Sequence, residues 1–74
     1  MWNVYIVECS DGSLYTGITT DIERRIHEHN NTKKGAKYTR SRRPVTLLWS
    51  KSLATQSEAL LFEARIKKME RKRK

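Results

Sequence analysis

Residues 2–18 read WNVYIVECSDGSLYTGI, and this stretch decides the fold. β-Branched and aromatic residues fill positions 2–9 and 14–18, so both segments are predicted to be strands. The intervening Ser10-Asp11-Gly12 predicts a three-residue hairpin loop, with Gly12 in the left-handed conformation that such loops need. The chain therefore begins with an antiparallel hairpin.

The loop length decides which side chains share a face of this hairpin. A two-residue Asp-Gly turn would put Tyr5 and Tyr15 on opposite faces, because side chains alternate with period two. A three-residue loop places Tyr5 opposite Gly17 and Val7 opposite Tyr15, so that both tyrosines share one face. We prefer this register. We also expect Gly17 to have a structural role, leaving an open space beside the Tyr5 ring.

Two helices and a third strand follow the hairpin. Thr20 and Glu23 have the form of a capping box, which predicts a first helix over about 21–30. Pro44 suits the first position of a third strand, predicted at 45–50. A second capping box at residues 55–58 predicts a second helix that ends near residue 71. Its apolar stripe consists of Ala59, Phe62, Ile66 and Met69.

This element order predicts an α+β fold. We expect a three-stranded antiparallel sheet flanked by helices, in the order β-β-α-(loop or short helix)-β-α, with the third strand paired to the first. A short helical turn is expected near residues 36–39. The chain has 74 residues, which corresponds to a single domain over 1–74.

Charge and cysteine usage narrow the function classes. Sixteen Lys and Arg against eight Asp and Glu give a net charge of +8, which predicts an anionic partner, most often nucleic acid. Cys9 is the sole cysteine, which excludes an intrachain disulfide and a cysteine-based zinc site and favours the reducing cytoplasm. No apolar run is long enough for a membrane span, so no membrane partner is expected.

Residues 31–43 are the strongest candidate surface for nucleic acid. This segment interleaves cations with one aromatic residue, a pattern in which the cations meet phosphates and the ring stacks on a base. The predicted nucleic-acid-binding residues are Lys33, Lys34, Lys37, Tyr38, Thr39, Arg40, Arg42 and Arg43. A solvated loop would have the same composition.

Five side chains together suggest phosphodiester hydrolysis. The predicted catalytic residues are Tyr5, Tyr15, Arg25, His29 and Glu63. Such a reaction needs a group that orients or deprotonates water and a positive charge for the phosphate. Singly, each residue has a structural explanation, such as packing for the tyrosines or an ion pair for Arg25. Carboxylates are not paired at short spacing, so a two-metal nuclease is not expected. Glu63 alone could hold one hard divalent cation, Mg²⁺ or Mn²⁺. No small-molecule cofactor is expected.

At these residues the chain resembles the GIY-YIG nuclease superfamily. Asn3-Val4-Tyr5 and Tyr15-Thr16-Gly17 resemble its paired motifs, although Asn3, Val4 and Thr16 depart from the family pattern. The segment 21–26 resembles the first helix, with the family arginine at Arg25, and the segment 58–63 resembles the one that carries the metal-binding glutamate, at Glu63. The middle of the chain resembles that of small stand-alone, single-domain bacterial members.

The resemblance implies a metal-dependent endonuclease acting on DNA. In that family Tyr5 would be the base-type tyrosine, with Tyr15 supporting water and phosphate, Arg25 stabilising phosphate charge, and Glu63 holding one metal ion. Because no second domain is evident to select the substrate, a partner protein remains open. The alternative is a non-catalytic basic module that binds DNA or RNA and retains the nuclease fold.

Overall fold

The computed structural model describes residues 1–31, 39 and 41–72. Three strands form one antiparallel sheet: β1 (Trp2–Glu8), β2 (Leu14–Thr19) and β3 (Thr46–Leu53). Two helices lie wholly within the described residues, α1 (Ile22–Asn31) and α2 (Gln56–Lys72). The strand order is β2-β1-β3, with β1 in the centre. The predicted α+β class, element order and pairing of the third strand with the first are confirmed.

The hairpin has the register of the three-residue loop. Tyr5 lies opposite Gly17 and Val7 opposite Tyr15. The backbone N–H of Cys9 donates to the carbonyl of Ser13 over 2.8 Å. Gly12 has φ of 83°, a left-handed conformation that glycine adopts without the steric cost of a Cβ. The two tyrosines therefore share one face of the sheet.

Two details of the helices and strands differ from expectation. Asp21, not Thr20, caps α1, because its carboxylate accepts the N–H of Arg24 over 3.1 Å and the helix begins at Ile22. β3 continues to Leu53, three residues beyond the predicted end, because its pairing with β1 extends to Trp2. The second cap is confirmed, since Thr55 Oγ1 accepts the N–H of Glu58.

The helices contact opposite faces of the sheet. Tyr5 and Val7 form a buried cluster with Cys9 and Val45, and Ile26 of α1 packs against it. Ile6 points the other way, because side chains alternate along a strand, and meets Phe62 and Ile66 of α2 around a shared groove. Met69 was expected in the buried stripe of α2, but it is 65% exposed.

The middle segment is described only in part. Residues 32–38 and 40 lie outside the described residues. The same holds for the helical turn expected near 36–39, except for Thr39, and for the predicted contacts of Lys33, Lys34, Lys37, Tyr38 and Arg40. Thr39 is helical and fully buried. Within the described residues, neither helix is both long and apolar enough to span a bilayer.

Candidate active site

A buried histidine links the hairpin to the middle segment. Tyr5 Oη lies 2.9 Å from His29 Nε2, and His29 Nδ1 lies 2.9 Å from Thr39 Oγ1. All three side chains are fully buried. The side-chain amide of Asn30 fixes the adjoining end of α1, because it donates a hydrogen bond to the carbonyl of Val45 and accepts one from the N–H of Val45. The hydrogen bonds of His29 therefore fix the orientation of the Tyr5 hydroxyl.

Burial keeps the histidine neutral. It lowers the pKa of His29 to about 4, and the positive charge of Arg25 contributes in the same direction. A neutral imidazole has one N–H, so one ring nitrogen donates and the other accepts. His29 can therefore accept a proton from either hydroxyl that it contacts.

Burial has the opposite effect on the neighbouring phenol. It raises the pKa of Tyr5 to about 12, although the hydrogen bond from Arg25 opposes the shift. Tyr5 is consequently protonated at neutral pH. As a base it therefore needs a partner that takes its proton, and His29 Nε2 is the acceptor within hydrogen-bonding distance.

Arg25 joins the same group from α1. Its guanidinium hydrogen-bonds the Tyr5 side chain and forms an ion pair of 3.1 Å with Glu28. An ion pair was the structural role considered for Arg25 from the sequence, and Arg25 makes both this ion pair and the contact to Tyr5. The Arg25 side chain is 26% exposed, so it borders both the buried phenol and solvent.

Gly17 makes room for the Tyr5 ring. A Cβ at this position would lie 2.6 Å from Tyr5 Oη and 2.8 Å from Tyr5 Cζ. We expected an open space at Gly17, but the Tyr5 ring occupies that space. The structural role predicted for Gly17 is that of a platform for Tyr5.

Tyr15 stands at the more accessible side of the site. Its ring centre lies 5.4 Å from that of His29 and 6.5 Å from that of Tyr5. Tyr15 is partly buried, whereas Tyr5 is almost completely buried. Because β2 is an edge strand, Lys67 of α2 also reaches Tyr15, with Nζ 6.0 Å from the ring centre.

Glu63 is the candidate metal ligand. Among the described residues, no three His, Cys, Asp or Glu side chains cluster as a metal cage would require. The Glu63 carboxylate lies 3.5 Å from Lys67 Nζ and is 19% exposed, so its surroundings already accommodate a cation. A single carboxylate fits Mg²⁺ or Mn²⁺, which in such sites keep several waters and take phosphate oxygens.

Several neighbours of the site were predicted to have other roles. Thr39 was predicted to contact nucleic acid, but its burial and its bond to His29 make it part of the site. Arg43 donates from Nε to the His29 carbonyl, and Arg42 pairs with Asp11 over 3.0 Å. Lys67 was not predicted as a site residue, because its i,i+4 spacing from Glu63 is its only signal in the sequence.

The family model for the GIY-YIG catalytic domain matches residues 1–74. The chain belongs to the GIY-YIG family. Relatives include the UPF0213 protein DP2720 of Desulfotalea psychrophila, 58% identical over 99% of this chain and 66% of its own length. The UPF0213 protein VNG_2274C of Halobacterium salinarum is 54% identical over 100% of this chain and 95% of its length. The GIY-YIG assignment from the hairpin motifs is confirmed, and its relatives come from archaea as well as bacteria.

Solved structures with this GIY-YIG fold include two solution NMR structures. The UPF0213 protein BH0048 from Bacillus halodurans has a TM-score of 0.54 and 48% identity, covering 90% of this chain and 71% of that one. Protein EF2693 from E. faecalis has a TM-score of 0.59 and 48% identity, covering 89% and 70%. The GIY-YIG catalytic domain places this chain in a nuclease superfamily.

Proposed function

We propose that this protein is a metal-dependent endonuclease that hydrolyses DNA phosphodiester bonds with one divalent cation. The observation that carries the proposal is the connected set of Arg25, Tyr5, His29 and Thr39, built inside a GIY-YIG domain. This set contains a hydroxyl, a neutral proton acceptor behind it and a fixed positive charge. Cys9 is a buried free thiol, which suits the reducing cytoplasm that we expect for this activity.

The proton path runs through Tyr5. The attacking water gives its proton to the Tyr5 oxygen as the Tyr5 proton passes to His29 Nε2, so that no free phenolate is needed despite the pKa of about 12. The water oxygen forms a bond to phosphorus and the bond to the leaving oxygen breaks. The leaving oxygen takes a proton from solvent, and His29 later releases its own.

The charged groups assist this step. Arg25 neutralises charge on the phosphate, for which a guanidinium has suitable paired donors. The positive charge of Arg25 lowers the pKa of His29, and the negative charge of the substrate opposes this effect. Bound substrate therefore favours transient protonation of the imidazole. Glu63 would hold Mg²⁺ or Mn²⁺, and such an ion supplies Lewis-acid stabilisation of the phosphate oxygens. Tyr15 borders this space and would orient water or phosphate.

The experiment is cleavage of end-labelled single-stranded, duplex and branched DNA in Mg²⁺, in Mn²⁺ and in EDTA. Glu63→Gln removes the charge of the metal ligand while keeping its size. Glu58→Gln on the same helix is the matched control, because glutamine also serves in a capping box. We expect metal-dependent products that Glu63→Gln abolishes and Glu58→Gln retains, with both variants folded by circular dichroism.

Two outcomes would contradict the proposal. Full activity in Glu63→Gln would remove Glu63 from the metal site. Tight binding of all three substrates without cleavage in either metal would favour a non-catalytic binding module instead.

A further inference from the structure

A groove lies beside the candidate active site, between β3 and α2. Its volume is about 490 Å³, within the range of roughly 300–1,000 Å³ typical of ligand sites. It is lined by Ile6, Trp49, Phe62, Arg65, Ile66 and Met69. Of these lining residues only Arg65 is charged, and it is a cation. The mechanism proposed above uses none of them.

The groove presents aromatic surface next to positive charge. Trp49 and Phe62 stack with their ring centres 5.8 Å apart and their planes inclined by 15°. Trp49 nevertheless remains 40% exposed. Lys51 Nζ lies 5.3 Å from the Phe62 ring centre. Aromatic faces combined with nearby cations are how proteins hold unpaired nucleotides, with bases on the rings and phosphates on the cations.

We propose that this groove binds an unpaired nucleobase of a single-stranded DNA segment, with the base on Trp49 and the flanking phosphates on Lys51 and Arg65. The proposal rests on the nuclease function above and names its substrate class. Charge complementarity decides for nucleic acid over an apolar protein segment. Among the described side chains, the charged groups that line the groove or contact its rings are Arg65 and Lys51, both positive, and the chain has a net charge of +8.

The position of the groove connects it to the cleavage site. Phe62 and Ile66 face the groove, while Glu63 and Lys67, one residue further along α2, face Tyr15 and the active site. Neighbouring residues on a helix differ in direction by about 100°, so the groove and the active site lie on adjacent flanks of α2. A strand that crosses α2 can place a base in the groove and a phosphodiester near Tyr15.

This geometry predicts a preference for DNA with unpaired bases near the cut. A base inside a duplex must be unpaired and unstacked before it can reach Trp49, and this costs free energy. Single-stranded or branched DNA supplies the base without that cost.

The test is equilibrium binding measured in EDTA, where metal-dependent cleavage does not interfere. The chain has two tryptophans, Trp2 and Trp49, so a Trp2→Phe background makes Trp49 the only tryptophan reporter. We expect an oligothymidine to quench its fluorescence. In fluorescence anisotropy with labelled DNA, Trp49→Ala should weaken single-strand binding by about 5-fold to about 150-fold, the usual effect of removing one stacking ring.

Two further variants separate stacking from folding and from apolar contact. Trp49→Phe should retain most of the affinity because it keeps a ring. Leu48→Ala is the matched control on the same strand, since Leu48 is 54% exposed and does not line the groove. Leu48→Ala should leave single-strand binding unchanged. Trp49→Ala should change duplex binding by less than twofold.

Several results would overturn the groove assignment. One is equal loss of single-strand and duplex affinity in Trp49→Ala, and another is an unquenched Trp49 under saturating oligothymidine. A third is a dimer by analytical ultracentrifugation that Trp49→Ala dissociates, since a second copy would then cover the groove. Cleavage that proceeds normally alongside any of these results would leave the nuclease intact. Quenching without cleavage would leave the groove intact and refute the nuclease.

Discussion

Replacing Gly17 by alanine tests whether the Tyr5 ring needs the absence of a side chain beneath it. The new Cβ would lie 2.6 Å from Tyr5 Oη and 2.8 Å from Cζ, while ordinary contacts begin near 3.4 Å. The hydroxyl would have to withdraw by about 0.8 Å, the difference between 3.4 and 2.6 Å. The ring cannot move that far without disturbing its 2.9 Å hydrogen bond to His29.

The expected cost follows from two opposing effects. Overpacking a well-filled site destabilises proteins by about 1–3 kcal/mol. Alanine also restricts the unfolded chain, which offsets roughly 0.4–1 kcal/mol of that cost. We therefore expect Gly17→Ala to lower the free energy of unfolding by about 1–2 kcal/mol, or about 4–8 °C in Tm for each kcal/mol.

Urea unfolding and a double-mutant cycle provide the measurement. Tyr5→Leu removes the clash, so alanine at position 17 should cost at least 1 kcal/mol less in that background. Gly12→Ala is the control, because nothing lies within 4 Å of its Cβ and its cost arises from φ of +83° alone. Gly12→Ala should be destabilised yet keep cleavage per folded molecule, whereas Gly17→Ala should lose it. Additive effects of Gly17→Ala and Tyr5→Leu would refute the steric reasoning.

Three other measurements address His29, Lys67 and the basic surface. Because the pKa of His29 is lowered from 6.5 to about 4 in the fold, protonation favours the unfolded chain. Neutral His29 therefore contributes its full stabilisation above pH 6.5, and this contribution is lost as the pH falls towards 4. The urea midpoint should fall across that window and should do so less in His29→Gln; parallel curves would contradict the assignment. Lys67→Met removes the ammonium 3.5 Å from Glu63, so Mn²⁺ should raise the Tm of this variant at lower concentrations than it does in the wild type; an unchanged dose response would show that Lys67 does not compete for that carboxylate. Finally, six to eight phosphate contacts would give a slope of log affinity against log salt of roughly −5 to −7 on duplex DNA, and a flat response would exclude a phosphate-binding surface.

The sequence predicted the hairpin well because its signals are local. The three-residue loop with Gly12 set the register, and the register alone placed Tyr5 and Tyr15 on one face. The N-cap of α1 was misassigned to Thr20 because Thr20 and Asp21 are adjacent and both suit a cap. Only the backbone geometry selects between two neighbouring capping residues.

The missing parts of the site depend on contacts between distant segments. Thr39 was classed with the basic loop because charged residues surround it in sequence, yet its hydroxyl is buried against His29, ten residues earlier. The depression of the His29 pKa likewise has no sequence signal, because it arises from burial. Lys67 has an i,i+4 pairing pattern that many surface helices share, and its closeness to Tyr15 depends on how α2 crosses the sheet.

Burial of Tyr5, His29 and Thr39 makes these residues poor markers of activity during evolution. A descendant that abandoned catalysis would still need them, because their loss would leave buried polar groups without partners and weaken a small core. Glu63 and Arg25 are more exposed, so a descendant released from selection for cleavage could lose them first. The tyrosine motifs of the family thus indicate an intact fold, whereas the presence of Arg25 and Glu63 distinguishes an active enzyme from an inactive descendant.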